Sequence, residues 1–305
     1  MGTITTTGNH VYTRRQLSDK ALMNIFLWPT LILLIAINIF PLLYSLYLSF
    51  TRYFAIANKP PIWIGLQNYV SILGDKTLWR YFSNTGFYVV ATVVLEMVIG
   101  FSLALLLRKR FGGSGFITTL ILIPMMLSPV VVGLFWKLMY NPNYGIFNYL
   151  LGFGPGKGPD WLASKSLAMW AVIFVDVWMW SPFVMLLCTA GLSAIPDYLY
   201  EAAEIDRANG WFQFWRITLP QVAPLLLVAV LFRTIESIKA FDLVMGLTGG
   251  GPGSATEVIS ISLYRLAFLG QFNSGKSSAL AYIVLVIIIA ASNLYIKYLN
   301  QIKEG

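Results

Sequence analysis

Six stretches of this chain are apolar for about the 20 residues a helix needs to cross a bilayer. They cover roughly 22–50, 83–107, 116–140, 167–192, 221–242 and 278–298. Polar punctuation separates them and predicts helical spans joined by connectors. The first run is long and contains Pro29 and Pro41, which are expected to kink or divide it. It far exceeds a signal-peptide core and is expected as an uncleaved span. A tail, 1–20, precedes a membrane domain, 21–305, and internal repeats are not evident.

The connectors differ in character. Residues 51–82 mix aromatic, polar and Pro residues and suit a folded loop on a membrane face. RKRFGGSG, 108–115, is a short basic turn. Residues 141–161 are rich in Gly, Pro and Asn, with room for one short helix near 145–151. Within 243–277, the turn-rich LTGGGPGSATE precedes an expected half-buried helix at about 257–269.

Composition agrees with this pattern. The chain is 57% hydrophobic and 11% charged, with mean hydropathy +0.71. Soluble domains carry about a quarter charged residues. The net charge of +8 is scattered and falls partly at the ends of apolar runs, where Lys and Arg orient a chain, so a nucleic-acid partner is rejected. A lone Cys188 forms no disulfide within the chain, and the one His10 sits in the tail, which argues against a His-based metal site. Six spans place both termini on one side. The termini, 108–115 and 193–220 hold about 10 basic residues in about 65, against about 8 in about 96 opposite, so that side is expected to be cytoplasmic.

One connector departs from its surroundings. EAAEIDRANGWFQFWRITLP, Glu201–Pro220, has four charges in its first seven residues and large apolar side chains after them. Pro196 and Asp197 suit a helix start. Ala202, Ile205, Ala208, Phe212, Trp215 and Leu219 form one helical stripe if the helix is unbroken, whereas Asn209-Gly210 favours a turn and two short helices. Phe212, Phe214, Trp215 and Ile217 would each gain about 1.5–3 kcal/mol on burial. Two destinations stand open for them: the chain's own helices or membrane surface, and a partner.

These residues resemble the cytoplasmic EAA loop of permease subunits of ABC importers. Glu201, Ala202, Ala203, Asp206, Ala208, Phe214, Ile217, Leu219 and Pro220 stand in register with that motif. Arg207 occupies the position where the family has a turn-forming Gly. A positive φ disfavours a non-Gly residue, so either the turn moves to Asn209-Gly210 or the helix runs on. LTGGGPGSATE with Leu263-Tyr264-Arg265 and Ala267-Phe268, and Pro41–Ser45 with Gly65–Tyr69, are similar to the carbohydrate-importer branch. Together these segments cover nearly the whole chain.

The resemblance implies an all-α membrane fold of the type I importer kind, with six spans and a coupling loop at 193–220. It implies two partner ATPases that bind ATP and magnesium, and a second permease, expected to be a different chain. It also implies an extracytoplasmic solute-binding protein that delivers solute to 51–82, 141–166 and 243–277, and a bacterial inner-membrane location. Arg207 is counted with the coupling residues. GQFNSGKSS, 270–278, has the Gly-x-x-x-x-Gly-Lys-Ser spacing of a phosphate-binding loop at Gly270, Gly275, Lys276 and Ser277, but no strand is plausible before it, so it reads as the approach to the last span and ATP hydrolysis is expected in another subunit.

Charges inside spans face a bundle interior or a water-filled path. Candidates are Glu96, Asp176, Arg233, Glu236 and Lys239. Asp176, Met179, Trp180 and Phe183 share one helix face, as do Arg233, Glu236, Ser237 and Ala240. In maltose-type relatives the helices flanking the EAA loop hold the sugar. The resemblance therefore implies a substrate site of Asp176, Trp180, Phe183, Arg233, Glu236 and Ser237, with Asp176 standing where the family has a polar amide. The alternative is internal pairing, of Arg233 with Glu236 or of Asp176 with Arg233. Glu96 is expected in an interhelical hydrogen bond or a partner contact. A phosphorylated polyol remains an alternative solute. A more distant alternative is a carrier driven by an ion gradient through Glu96 or Asp176. An embedded enzyme finds no metal cluster or Ser/His/Asp set to support it.

Overall fold

The computed structural model describes residues 18–57, 59–108, 111–270 and 272–304. Most of the expected tail, including His10, and Lys109 and Arg110 of the basic turn lie outside the described residues.

Helix α1, Asp19–Ser49, runs unbroken through Pro29 and Pro41, which do not divide it. A two-residue antiparallel ladder, β1 (Thr51–Arg52) with β2 (Ile62–Trp63), then leads to α2, Gln67–Leu73. The buried Asn68 amide donates to the carbonyls of Ser49 and Thr51, both at 2.9 Å, and ties this connector to the end of α1. Helix α3, Lys76–Leu107, starts earlier than expected because Asp75 caps it, accepting from the Thr77 amide at 2.9 Å.

The third expected span is not one helix. It is α4, Ser114–Leu122, a 3-10 turn at Pro124–Met126, and α5, Pro129–Met139. Pro124 has no N–H to continue the ladder. Pro129 forces Ser128 into extended geometry, at φ −65° and ψ 134°. A short α6, Ile146–Leu150, falls where a connector helix was expected. Helix α7, Ala168–Ser193, passes through Pro182.

The amphipathic block comprises α8, Tyr198–Ile205, and α9, Gly210–Gln213. A π-helical turn, Phe214–Thr218, joins α9 to α10, Leu219–Ile238. The chain continues as α11, Asp242–Leu247, α12, Ile259–Phe268, and α13, Ser274–Glu304. Among the described residues, five helical stretches, including Gly210–Ile238 as one, are long and apolar enough to cross a membrane.

Helix α7 is the axis of the bundle. In its most apolar stretch 67% of residues are buried, against 6% in α1 and 11% in α13, so the first and last helices are peripheral. Val172, Ile173, Val175 and Met179 of α7 pack with Tyr88 of α3, Trp136 of α5 and Val244 of α11. Toward its other end, Val184, Met185, Cys188 and Leu192 pack with Ala104, Val222 and Ala229.

Lipid offers no hydrophobic drive between helices, so close backbone approach through small residues matters. A Cβ at Gly100 would lie 2.6 Å from Val184 Cβ and 2.7 Å from the Ser181 carbonyl, so α3 and α7 cross at a point only Gly allows. Gly133 of α5 likewise lies against Gly246 of α11. The Gly-rich connector is a folded loop. The Asn84 amide of α3 donates to the carbonyls of Ser254 and Glu257, each at 3.1 Å, and Arg265 Nη2 donates to the Gly249 carbonyl at 2.6 Å.

Candidate functional site

The close crossing at Gly100 brings Glu96, one turn away on α3, to the junction of α3, α7 and α10. Arg233 of α10 meets it there with two prongs, Nε to Oε2 at 2.6 Å and Nη2 to Oε1 at 2.8 Å. The same Nη2 donates to Asp176 Oδ2 of α7 at 2.9 Å and to Ser237 Oγ at 3.3 Å. Thr92 Oγ1 donates to Ser237 Oγ at 3.4 Å. The guanidinium carbon sits 4.8 Å from the centre of the Trp180 ring. Glu96, Asp176 and Arg233 are all buried, at 0%, 4% and 3% exposure.

An unpaired ion there would cost several kcal/mol, and the two-pronged geometry with added hydrogen bonds offsets that cost. Of the pairings left open by the sequence, Asp176 with Arg233 forms, while Glu236 pairs instead with Lys239 at 2.7 Å near the surface. Glu96 takes the interhelical role expected of it, through a partner 137 positions away.

Asp176, Trp180, Arg233, Glu236 and Ser237 line one cavity of about 120 Å³ with Pro129, Lys239 and Asp242. Five of the six predicted substrate residues are thus brought together. Phe183 is not with them. It packs one turn along α7 in the cluster of Val184, Met185 and Cys188. Lys239, already a candidate among the charges inside spans, joins the five from the α10–α11 corner, and Asp242 is an addition that the sequence reading did not reach. Among the described residues, no group of three or more His, Cys, Asp or Glu side chains is arranged to hold a metal ion.

The second candidate region lies at the opposite ends of the same two helices. From Asp176 to Ser193 is about 25 Å along α7. Arg207 itself adopts φ +55° at the family's Gly position. Neither expected escape occurs: the turn does not leave Arg207, and the helix does not run on. Backbone bonds hold the strained turn, from the Arg207 amide to the Glu204 carbonyl at 3.0 Å and from the Ala208 amide to the Ala203 carbonyl at 2.8 Å. Asn209 then caps α9, accepting from the Phe212 amide at 2.8 Å.

The turn breaks the single stripe, and the apolar residues divide. Phe214 faces inward, 5.9 Å from the Phe101 ring of α3, and Ile217 packs on the bundle. Ile205, Trp211 and Phe212 remain 81%, 71% and 52% exposed. Ala202, Ala203, Asp206, Arg207, Ala208, Phe212 and Ile217 line a concavity of about 560 Å³, with Glu201 exposed beside it. Leu219 and Pro220 open α10, where Pro is tolerated. Tyr200 anchors the block, its hydroxyl 2.9 Å from Thr218 Oγ1 and its ring 4.0 Å from the Arg108 guanidinium carbon.

A helical membrane bundle with buried charge at one level and an exposed amphipathic hairpin at the other is the form of a transporter's membrane subunit. The chain belongs to the family of binding-protein-dependent transport system inner membrane components, whose model matches residues 96–302. It is 34% identical over 289 residues to the trehalose/maltose transport system permease protein MalF of Thermococcus litoralis, covering 95% of this chain and 97% of that one. It is 30% identical to the trehalose transport system permease protein SugA of Mycobacterium tuberculosis, covering 96% and 93%. Two solved bacterial transporters of the acidic polysaccharide alginate, one with its periplasmic protein bound, share the fold. Their TM-scores are 0.77 and 0.76 at 22% identity, over 90% of this chain and 92% and 95% of theirs. This is accordingly a multi-pass ABC transporter permease.

Proposed function

We propose that the chain is one permease subunit of an ATP-driven importer that takes a sugar or oligosaccharide from a solute-binding protein. The observation that carries this is the hairpin Glu201–Pro220. It continues directly from α7 and α10, two of the three helices that hold the buried ion cluster, and it presents Ile205, Trp211 and Phe212 to the outside around a concave face. Apolar side chains so displayed are suited to a partner surface. An ATPase subunit docks there, bringing the ATP and magnesium that this chain does not hold. Closure of two such ATPases moves α7 and α10 as levers on the cavity about 25 Å away.

The cavity of about 120 Å³ is too small for a disaccharide by itself. A second, different permease is expected to complete it from the open side. In this arrangement α4 and α5 together make the sixth crossing, both termini and the hairpin face the cytoplasm, and the connectors at 51–82, 141–166 and 243–277 meet the solute-binding protein outside the bacterial inner membrane. The sugar class follows from relatives named for trehalose and maltose transport. The assignment is tested by trehalose and maltose uptake into proteoliposomes holding the whole complex. Uptake should require internal ATP and ignore an imposed proton or sodium gradient. Uptake driven by the gradient without ATP would overturn it in favour of an ion-coupled carrier using Glu96 or Asp176.

A further inference from the structure

The relatives leave the charge of the solute open, since trehalose and maltose are neutral and alginate is acidic. We infer that this chain's half of the cavity favours uncharged saccharides and disfavours anionic ones, a conclusion that rests on the sugar-importer reading above. A permease that passes a phosphorylated or uronate sugar needs a cation free to meet it. Arg233 is the obvious candidate, a guanidinium between the two helices that line the cavity, but three of its five N–H donors are already committed within the chain and its charge is matched by two carboxylates. Nε and Nη2 hold Glu96, and Nη2 also reaches Asp176 and Ser237. Its face lies against Trp180.

With both carboxylates ionised the cluster is negative. With one protonated it is neutral. In neither state does it offer net positive charge to a ligand. The other cation on the wall is Lys239, whose Nζ sits 2.7 Å from Glu236 Oε1. Asp242 adds an exposed carboxylate at the start of α11 and forms no ion pair with any described residue. The cavity and the cluster behind it therefore bring four carboxylates, Glu96, Asp176, Glu236 and Asp242, against two cations, Arg233 and Lys239. A low-dielectric wall with this excess focuses a negative potential on the opening. Neutral hydroxyls still find Asp176, Ser237 and Glu236 as hydrogen-bond partners.

The test compares ATP-driven uptake of trehalose and trehalose 6-phosphate by the complete importer in proteoliposomes, with its solute-binding protein present throughout. The binding protein's own preference then cancels when wild type and variants are compared. The variant pair Glu236→Gln with Asp242→Asn removes the negative excess and frees Lys239. It should raise the ratio of phosphorylated to neutral uptake about tenfold, the scale expected for removing two like charges within a Debye length. Asp242→Lys alone should move the ratio in the same direction. A ratio unchanged in both variants, including no phosphorylated uptake in any of them, overturns the charge inference while trehalose uptake leaves the sugar reading intact. Uptake of neither sugar by wild type overturns the sugar reading and the inference with it.

Discussion

The ion cluster and the amphipathic hairpin share two helices, α7 and α10, with α3 completing the cluster, and are built on opposite terms. The cluster completes itself inside the chain: Arg233 finds Glu96, Asp176 and Ser237, and almost no part of it meets the outside. The hairpin is left incomplete. It spends a strained residue, Arg207, on its turn and exposes Ile205, Trp211 and Phe212. A buried charge must be satisfied where it lies, because lipid offers it nothing. An exposed apolar edge can wait for another chain. The contrast separates what holds the bundle together from the surface proposed to meet a partner.

That division can be broken most severely at the hairpin. Glu201→Lys should abolish uptake while leaving the protein in the membrane at normal abundance, as read by transport assay and membrane immunoblot side by side. Normal uptake would remove the docking role of the hairpin. At the cluster the effect should be on stability. Arg233→Met leaves two carboxylates buried without their cation, and should destabilise the purified protein by ~3–5 kcal/mol. Thermal unfolding in detergent reads it, and adding Glu96→Gln and Asp176→Asn should restore most of the loss. No restoration would mean that Arg233 acts through packing and not through charge.

Gly100→Ala probes the crossing that creates the cluster. The added Cβ meets Val184 and the Ser181 carbonyl, and overpacking of this kind costs about 1–3 kcal/mol. The same thermal assay should show it, with a smaller loss than Arg233→Met. The smallest effect is expected at Arg207→Gly. Removing a side chain from a left-handed residue should stabilise the turn by up to about 1 kcal/mol. Uptake should be retained, since the family's own residue is restored. Loss of uptake in that variant would show that the Arg207 side chain is part of the docking contact and not only tolerated in the turn.

Most of the spans, the connectors and the hairpin's division into two short helices were legible in the sequence because each depends on local signals. Long apolar runs, Gly- and Pro-rich breaks and a motif of fixed spacing report themselves within a few turns of helix. Where local signals conflicted, the outcome depended on neighbours. Pro29, Pro41 and Pro182 sit inside continuous helices, while Pro124 and Pro129, spaced closely, split the third span in two. Arg207 keeps the left-handed turn because α8, the turn's backbone bonds and Asn209 hold it there, although its own preference is against that conformation.

The candidate site divides the same way. Helical periodicity was enough to place Asp176 with Trp180 on one face and Arg233 with Glu236 and Ser237 on another. It did not show which of these charges pair, that Phe183 turns into the inner cluster, or that Lys239 and Asp242 reach the cavity. The sequence alone determined that this chain is a bundle of apolar helices with a few costly charges inside it, because transfer to lipid is a property of each segment. Only the tertiary structure decided which charge answers which. Glu96 of α3 and Arg233 of α10 are 137 positions apart, and a pairing of that kind exists only once the bundle has packed those two helices side by side.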